Sequence, residues 1–156
     1  MTTRDLVLED GEELVPPGDE LLYRQITEHM VTAEGTLGTH AFGPSSADRG
    51  KPSFSRSTRV ASQESRDWHS NHAKSRSLGV RAVPVDAVIL ARTWAIDDSA
   101  APEAVGEQRA PGHCYVDYRG LLPREVKAVR ASMFLASRTV ETEDSASALL
   151  AEETPT

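Results

Sequence analysis

The chain has 156 residues, 38% of them hydrophobic and 26% charged, which fits one domain and is too apolar for a disordered chain. Its single cysteine, Cys114, excludes an intramolecular disulfide and a cysteine-only metal site and points to a reducing compartment. The net charge of −7 is segregated: residues 1–20 carry seven acids against Arg4 alone, residues 141–156 carry five acids and no base, and Arg49 to Arg81 carries eight bases against Glu64 and Asp67.

The opening residues hold no apolar run of signal-peptide length. The longest apolar stretch, Val83 to Ala91, is broken by Pro84 and Asp86 and falls short of the roughly 20 residues a membrane span needs. A cytoplasmic protein that does not meet a membrane is expected. Residues 1–20, which include the Pro16-Pro17-Gly18 turn, read as an acidic tail, with order beginning near Glu20. Leu21 to Ile26 alternates Leu22, Arg24 and Ile26 against Leu21, Tyr23 and Gln25, the period of a strand. Thr32 to Pro52 is rich in Gly and Pro and too long for a passive connection, as functional loops often are.

Ser53 to Ser57 reads as a second strand, and Ser62 as the N-cap of a helix running to about Ser77. Ala61, Trp68 and His72 share one face of that helix, with Trp68 expected as its core anchor, while Arg66 points elsewhere. The β-branched run from Gly79 to Ala91 supplies a strand before Pro84 and a second element, strand or short helix, after it. Residues 97–112 show no period and read as a loop; residues 113–118 follow as a strand. Pro123 suits the first position of a last helix, whose apolar stripe is Val126, Val129, Met133, Ala136 and Val140.

These segments predict one α+β domain over residues 21–140, with acidic tails at 1–20 and 141–156. A small mixed or antiparallel sheet built from segments near 21–26, 53–57, 79–90 and 113–118 packs against two main helices near 62–77 and 123–140.

Among candidate sites, clustered cations release counterions when they meet a polyanion. Arg49, Lys51, Arg56, Arg59, Arg66, Lys74 and Arg76 therefore form a candidate binding surface for an anionic partner, a protein first and a nucleic acid or nucleotide second. His69 and His72, three apart on a helix, could share a metal ion. Because His72 lies on the Trp68 face, a structural histidine is the better reading, and neither metal nor cofactor is expected. His113 and Cys114 cannot form a thiol and imidazole pair with each other, because strand neighbours point to opposite faces; His69 or His40 would have to approach the thiol instead. Arg24, Ser55, His113 and Tyr115 form an alternative, catalytic set: an arginine for a phosphate, a hydroxyl for a ribose or phosphate oxygen, and a histidine for protons near neutral pH.

The run Leu22-Tyr23-Arg24-Gln25-Ile26, the loop residues Phe42, Ser45, Ser46 and Asp48, the Ser53-Phe54-Ser55-Arg56 strand and the Pro111-Gly112-His113 turn resemble a layout found in small uncharacterised bacterial proteins. That resemblance covers about residues 21–138 and implies no activity. The opening Tyr-Arg strand and the loop after it are also similar to the start of ADP-ribosyltransferase-like toxin domains, in which a first-strand arginine or histidine contacts NAD; Asp117 would stand in for the late-strand glutamate of that pattern. The expected function is that of a non-catalytic bacterial accessory or interaction protein whose 49–81 segment contacts an anionic partner. The alternative is a nucleotide- or NAD-using enzyme of the toxin-domain kind with Arg24 and His113 in its pocket.

Overall fold

The computed structural model of the chain describes residues 4–103 and 106–143. Among these, seven strands form one sheet in which every pairing is antiparallel. In chain order they are β1 (Glu13–Leu14), β2 (Leu21–Thr27), β3 (Ser53–Arg56), β4 (Ser77–Pro84), β5 (Ala95–Asp97), β6 (His113–Val116) and β7 (Arg138–Val140). Their order across the sheet is β1-β5-β6-β3-β2-β4-β7. Three α-helices accompany the sheet: α1 (Ser62–His72), α2 (Val85–Leu90) and α3 (Pro123–Ala136). The α+β class follows the sequence, which left the sheet mixed or antiparallel; the sheet dominates, and three α-helices stand among the described residues where two main ones were expected.

The β-branched run makes β4 the longest strand, and it pairs with β2 along the whole of that strand. Alternation then assigns two faces. On the back face, Leu22, Ile26, Phe54, Cys114 and Val116 form the core with Val129, Met133 and Phe134 of α3 and with Leu37, Ala41 and Phe42 of the long loop. That loop is packed: Phe42 and Leu37 are fully buried, and the Tyr118 hydroxyl donates to the Phe42 carbonyl at 2.7 Å. Helix α3 starts at Pro123, where the missing N–H costs nothing, and the Glu125 carboxylate accepts the Leu122 N–H at 2.8 Å. On the front face α1 covers β2 and β4, with the Gln25 amide donating to Ser65 Oγ at 3.0 Å and Ser65 to Ser55 Oγ at 3.3 Å.

Several sequence expectations need correction. Residues 4–20 are built into the domain and are not a tail: Glu13 and Leu14 pair with β5, Val15 is fully buried, and Arg4 donates to the carbonyls of Asp117 and Arg119. Helix α1 ends at His72, with Ser62 as its first residue and Ala61 before it, because Ser77 to Gly79 are drawn into β4. Its buried residues are Ser65 and Arg66, whereas Ala61 and His72 are exposed and Trp68 is only half-buried, so Trp68 is not a core anchor. Ala136 is exposed and Val140 belongs to β7, so the core stripe of α3 is Val129, Met133 and Phe134, with Val126 half-buried. Most of the expected acidic stretch from 141 onward lies outside the described residues.

Candidate functional site

Past α1 the front face of the sheet is open, leaving a cleft of about 1040 Å³. The register sets its floor. Tyr23 pairs with Ser55, Ser55 with His113, and Ser53 with Tyr115, so these side chains emerge on one face of three neighbouring strands. Trp68 and His69 of α1 form one wall, residues 98–103 and 107–110 with Asp98 and Arg109 form another, and Glu9 and Glu12 of the N-terminal segment reach the rim.

Three of the four residues in the expected catalytic set meet here: Ser55, His113 and Tyr115. Arg24 does not. It lies on the back face, where it donates to the carbonyls of Ala41 at 2.9 Å, Ser53 at 2.8 Å and Gly43 at 3.4 Å and lies 5.2 Å from the Phe54 ring centroid. Burial lowers its affinity for a proton, and the three carbonyls take the place of water. Its neighbours Tyr23 and Gln25 face the cleft instead. Asp117 is buried, bonds to Arg119 at 2.9 Å and does not line the cleft, so it does not stand in for a late-strand glutamate.

The strongest feature of the cleft is a chain of three side chains. Asp98 Oδ1 lies 2.6 Å from His113 Nδ1, and His113 Nε2 lies 2.9 Å from Ser53 Oγ. A carboxylate can only accept, so Nδ1 carries the hydrogen; in the neutral imidazole Nε2 then presents its lone pair, to which the Ser53 hydroxyl can donate. Gly112, at φ +65°, delivers His113; this left-handed residue turns the chain into β6, and its carbonyl accepts the Arg56 N–H at 2.9 Å. The Tyr115 hydroxyl donates to Glu12 at 2.8 Å, and burial, with that bond, pushes it above the usual tyrosine range. The Lys51 ammonium lies 5.2 Å and the Arg119 guanidinium 5.6 Å from the Tyr115 ring centroid.

Comparisons with protein-family models, with curated proteins and with solved structures find no match for this chain.

The basic segment is divided by the fold. Arg56 is buried on the back face between Glu20 (2.9 Å) and Asp97 (2.8 Å). Arg66 is buried and donates to Thr142 Oγ1 and to the carbonyls of Glu143 and Ser77. Neither is a surface cation, against the sequence expectation. Arg49 and Lys51 line the cleft, while Arg59, Lys74 and Arg76 are exposed elsewhere. His69 and His72 do not converge: His69 Nε2 meets the Ser75 carbonyl at 2.8 Å, and His72 stacks on Trp68 with centroids 4.4 Å apart. Burial lowers the pKa of His69, although the Ser75 carbonyl acts the other way. Cys114 is fully buried, and its burial, with Asp97 and Asp98 nearby, raises the thiol well above its ordinary value, so it is no nucleophile. No helix among the described residues is long and apolar enough to cross a membrane.

Sequence reasoning passed over Ser53, Asp98 and the cleft-facing role of Trp68. For Ser53 a signal existed, because it lies two residues from Ser55 on one strand and so shares its face.

Proposed function

We propose that the front cleft binds a nucleotide of the NAD class and that the protein is a nucleotide-using enzyme. The observation that carries this reading is the convergence of Ser53, Ser55, His113 and Tyr115 with Trp68 and Lys51 around one open cleft of about 1040 Å³, at the upper end of the size of small-molecule sites. Each group has a task in such a ligand. Lys51, which makes no ion pair among the described residues, meets a phosphate; the indole of Trp68 offers a surface to a base; the serines bond ribose hydroxyls; and His113 handles protons. The positions by which the first strand resembles ADP-ribosyltransferase-like toxin domains, Arg24 and Asp117, do not line the cleft, where Tyr23 and Gln25 stand instead, so the reading rests on the cleft's own residues.

Thermal denaturation with added NAD is the test. A saturable rise in melting temperature is expected, lost in Trp68→Ala and in Lys51→Ala and kept in Arg59→Glu. No rise at millimolar NAD or ADP-ribose would overturn the reading. The second reading, a non-catalytic module for an anionic protein partner, is favoured by the exposure of Arg59, Lys74 and Arg76. It predicts salt-sensitive retention on an acidic polypeptide that the triple reversal of these three residues to Glu abolishes.

A further inference from the structure

We propose that Ser53 is an activated nucleophile, driven by His113 and oriented by Asp98, and that the cleft forms and hydrolyses a covalent ester with substrates of the carboxylic-ester class. This goes beyond nucleotide binding and stands on the hydrogen-bond chain itself. The chain has the order a serine nucleophile needs: hydroxyl to Nε2 at 2.9 Å, and Nδ1 to carboxylate at 2.6 Å. Its members come from three separate places, β3, β6 and the loop after β5, so sequence adjacency does not explain their meeting. The two ends differ in access. Ser53 is exposed in the cleft, whereas the side chains of His113 and Asp98 are only 17% and 16% exposed.

The support is rigid. Ser53 and His113 sit on paired strands, and Arg24 holds the Ser53 carbonyl from the back face at 2.8 Å. Arg109 lies 3.8 Å from the other Asp98 oxygen, so the carboxylate is held between the guanidinium and the imidazole. Lys51, beside the ring of Tyr115, places a positive charge next to the strand partner of Ser53, where a carbonyl oxygen would gain negative charge.

The step balances without a co-reactant. Ser53 Oγ attacks the ester carbonyl carbon as its proton passes to His113 Nε2, and the carbonyl electron pair moves onto oxygen. Collapse breaks the bond to the alcohol oxygen, which leaves with the proton from His113. Water, losing a proton to His113, then attacks the acyl group, releasing the carboxylic acid and restoring the Ser53 hydroxyl.

A fluorophosphonate probe reports the first half of this chemistry, because Ser53 Oγ would form a bond to phosphorus as fluoride leaves. One adduct per chain is expected, mapped to Ser53 by peptide mass analysis, with labelling slowed by about 100-fold or more in His113→Gln and about 10-fold in Asp98→Asn. p-Nitrophenyl acetate hydrolysis should fall in parallel and vanish in Ser53→Ala. Ser53→Cys gives a second readout: its thiol should react with iodoacetamide faster than a free thiol, and lose that advantage when His113 is also replaced. An adduct elsewhere, no adduct, or a rate indifferent to His113 in variants that melt as wild type would overturn the proposal. These readouts contain no nucleotide, so they stand or fall separately from NAD binding.

Discussion

Arg24 and Arg56 lie on the same face of neighbouring strands and are both buried, yet one is held by carbonyls and the other by carboxylates. Burial raises the pKa of Glu20, but hydrogen bonds from Arg56 and Thr58 outweigh it; for Asp97, burial is outweighed by the Ser99 hydroxyl and by Arg56, so both carboxyls sit below the ordinary range. A lowered carboxyl contributes stability above its unfolded value near ~4 and loses it as pH falls through the folded value. Wild-type stability should therefore hold from neutral pH down to about 5 and decline below about 4. In Arg56→Leu the two carboxylates stay buried without their cation, at a cost of about 3–5 kcal/mol near pH 7. The gap should narrow toward pH 4, since protonation relieves the unpaired charges. Urea denaturation at both pH values checks this, and a gap that widens on acidification would contradict it. Much at this scale was legible: alternation alone puts Ser55 and Arg56 on opposite faces and makes Cys114 unable to pair with His113. Which face carries the cleft was not, because a central strand is partly buried on both sides, and so Arg24 was assigned to a pocket it does not reach.

At the scale of elements, the long strands and helices follow their periods, and the short ones do not announce themselves. Strand β2 and helix α3 each repeat an apolar position several times, whereas β1 has two residues and β5 and β7 have three, too few to show any period. Helix α1 is intermediate: its spacing groups Ala61, Trp68 and His72, but of these only Trp68 lines the cleft, while Ala61 and His72 are exposed. Asp98 carried no signal, since it follows a three-residue strand in a stretch without a pattern. Helix α3 gives the sharpest prediction. Met133 is fully buried between the sheet and the loop, with Tyr118 Oη 3.5 Å from its sulfur. Met133→Ala should cost about 2–5 kcal/mol, read by chemical denaturation. A loss below about 1 kcal/mol would show that this face can collapse onto the space left behind, with the loop around Phe42 following it.

For the whole molecule, the segregation of charge read as acidic tails at both ends, and the fold gives the N-terminal end a different task. Residues 4–18 extend the sheet and close the cleft rim. Leu14 pairs with Ile96, Val15 donates its N–H to the Ala95 carbonyl at 2.9 Å, Arg4 lies 5.1 Å from the Trp94 ring centroid, and Glu12 accepts from Tyr115. Removing residues 1–18 would expose the β5 edge to pairing with other chains and strip the cover from Val15's neighbours. Loss of the buried valine alone removes about 1.5–3 kcal/mol, and the strand bonds and Arg4 contacts add to it. A total near 3 kcal/mol corresponds to a melting temperature lower by roughly 6–12 °C in a domain of this size. Differential scanning calorimetry of the truncated chain should find that decrease, with concentration-dependent association from the opened edge. A truncated chain that melts as wild type and binds anions more tightly would instead restore the tail reading, in which the acidic residues screen the cations and contribute nothing to the sheet.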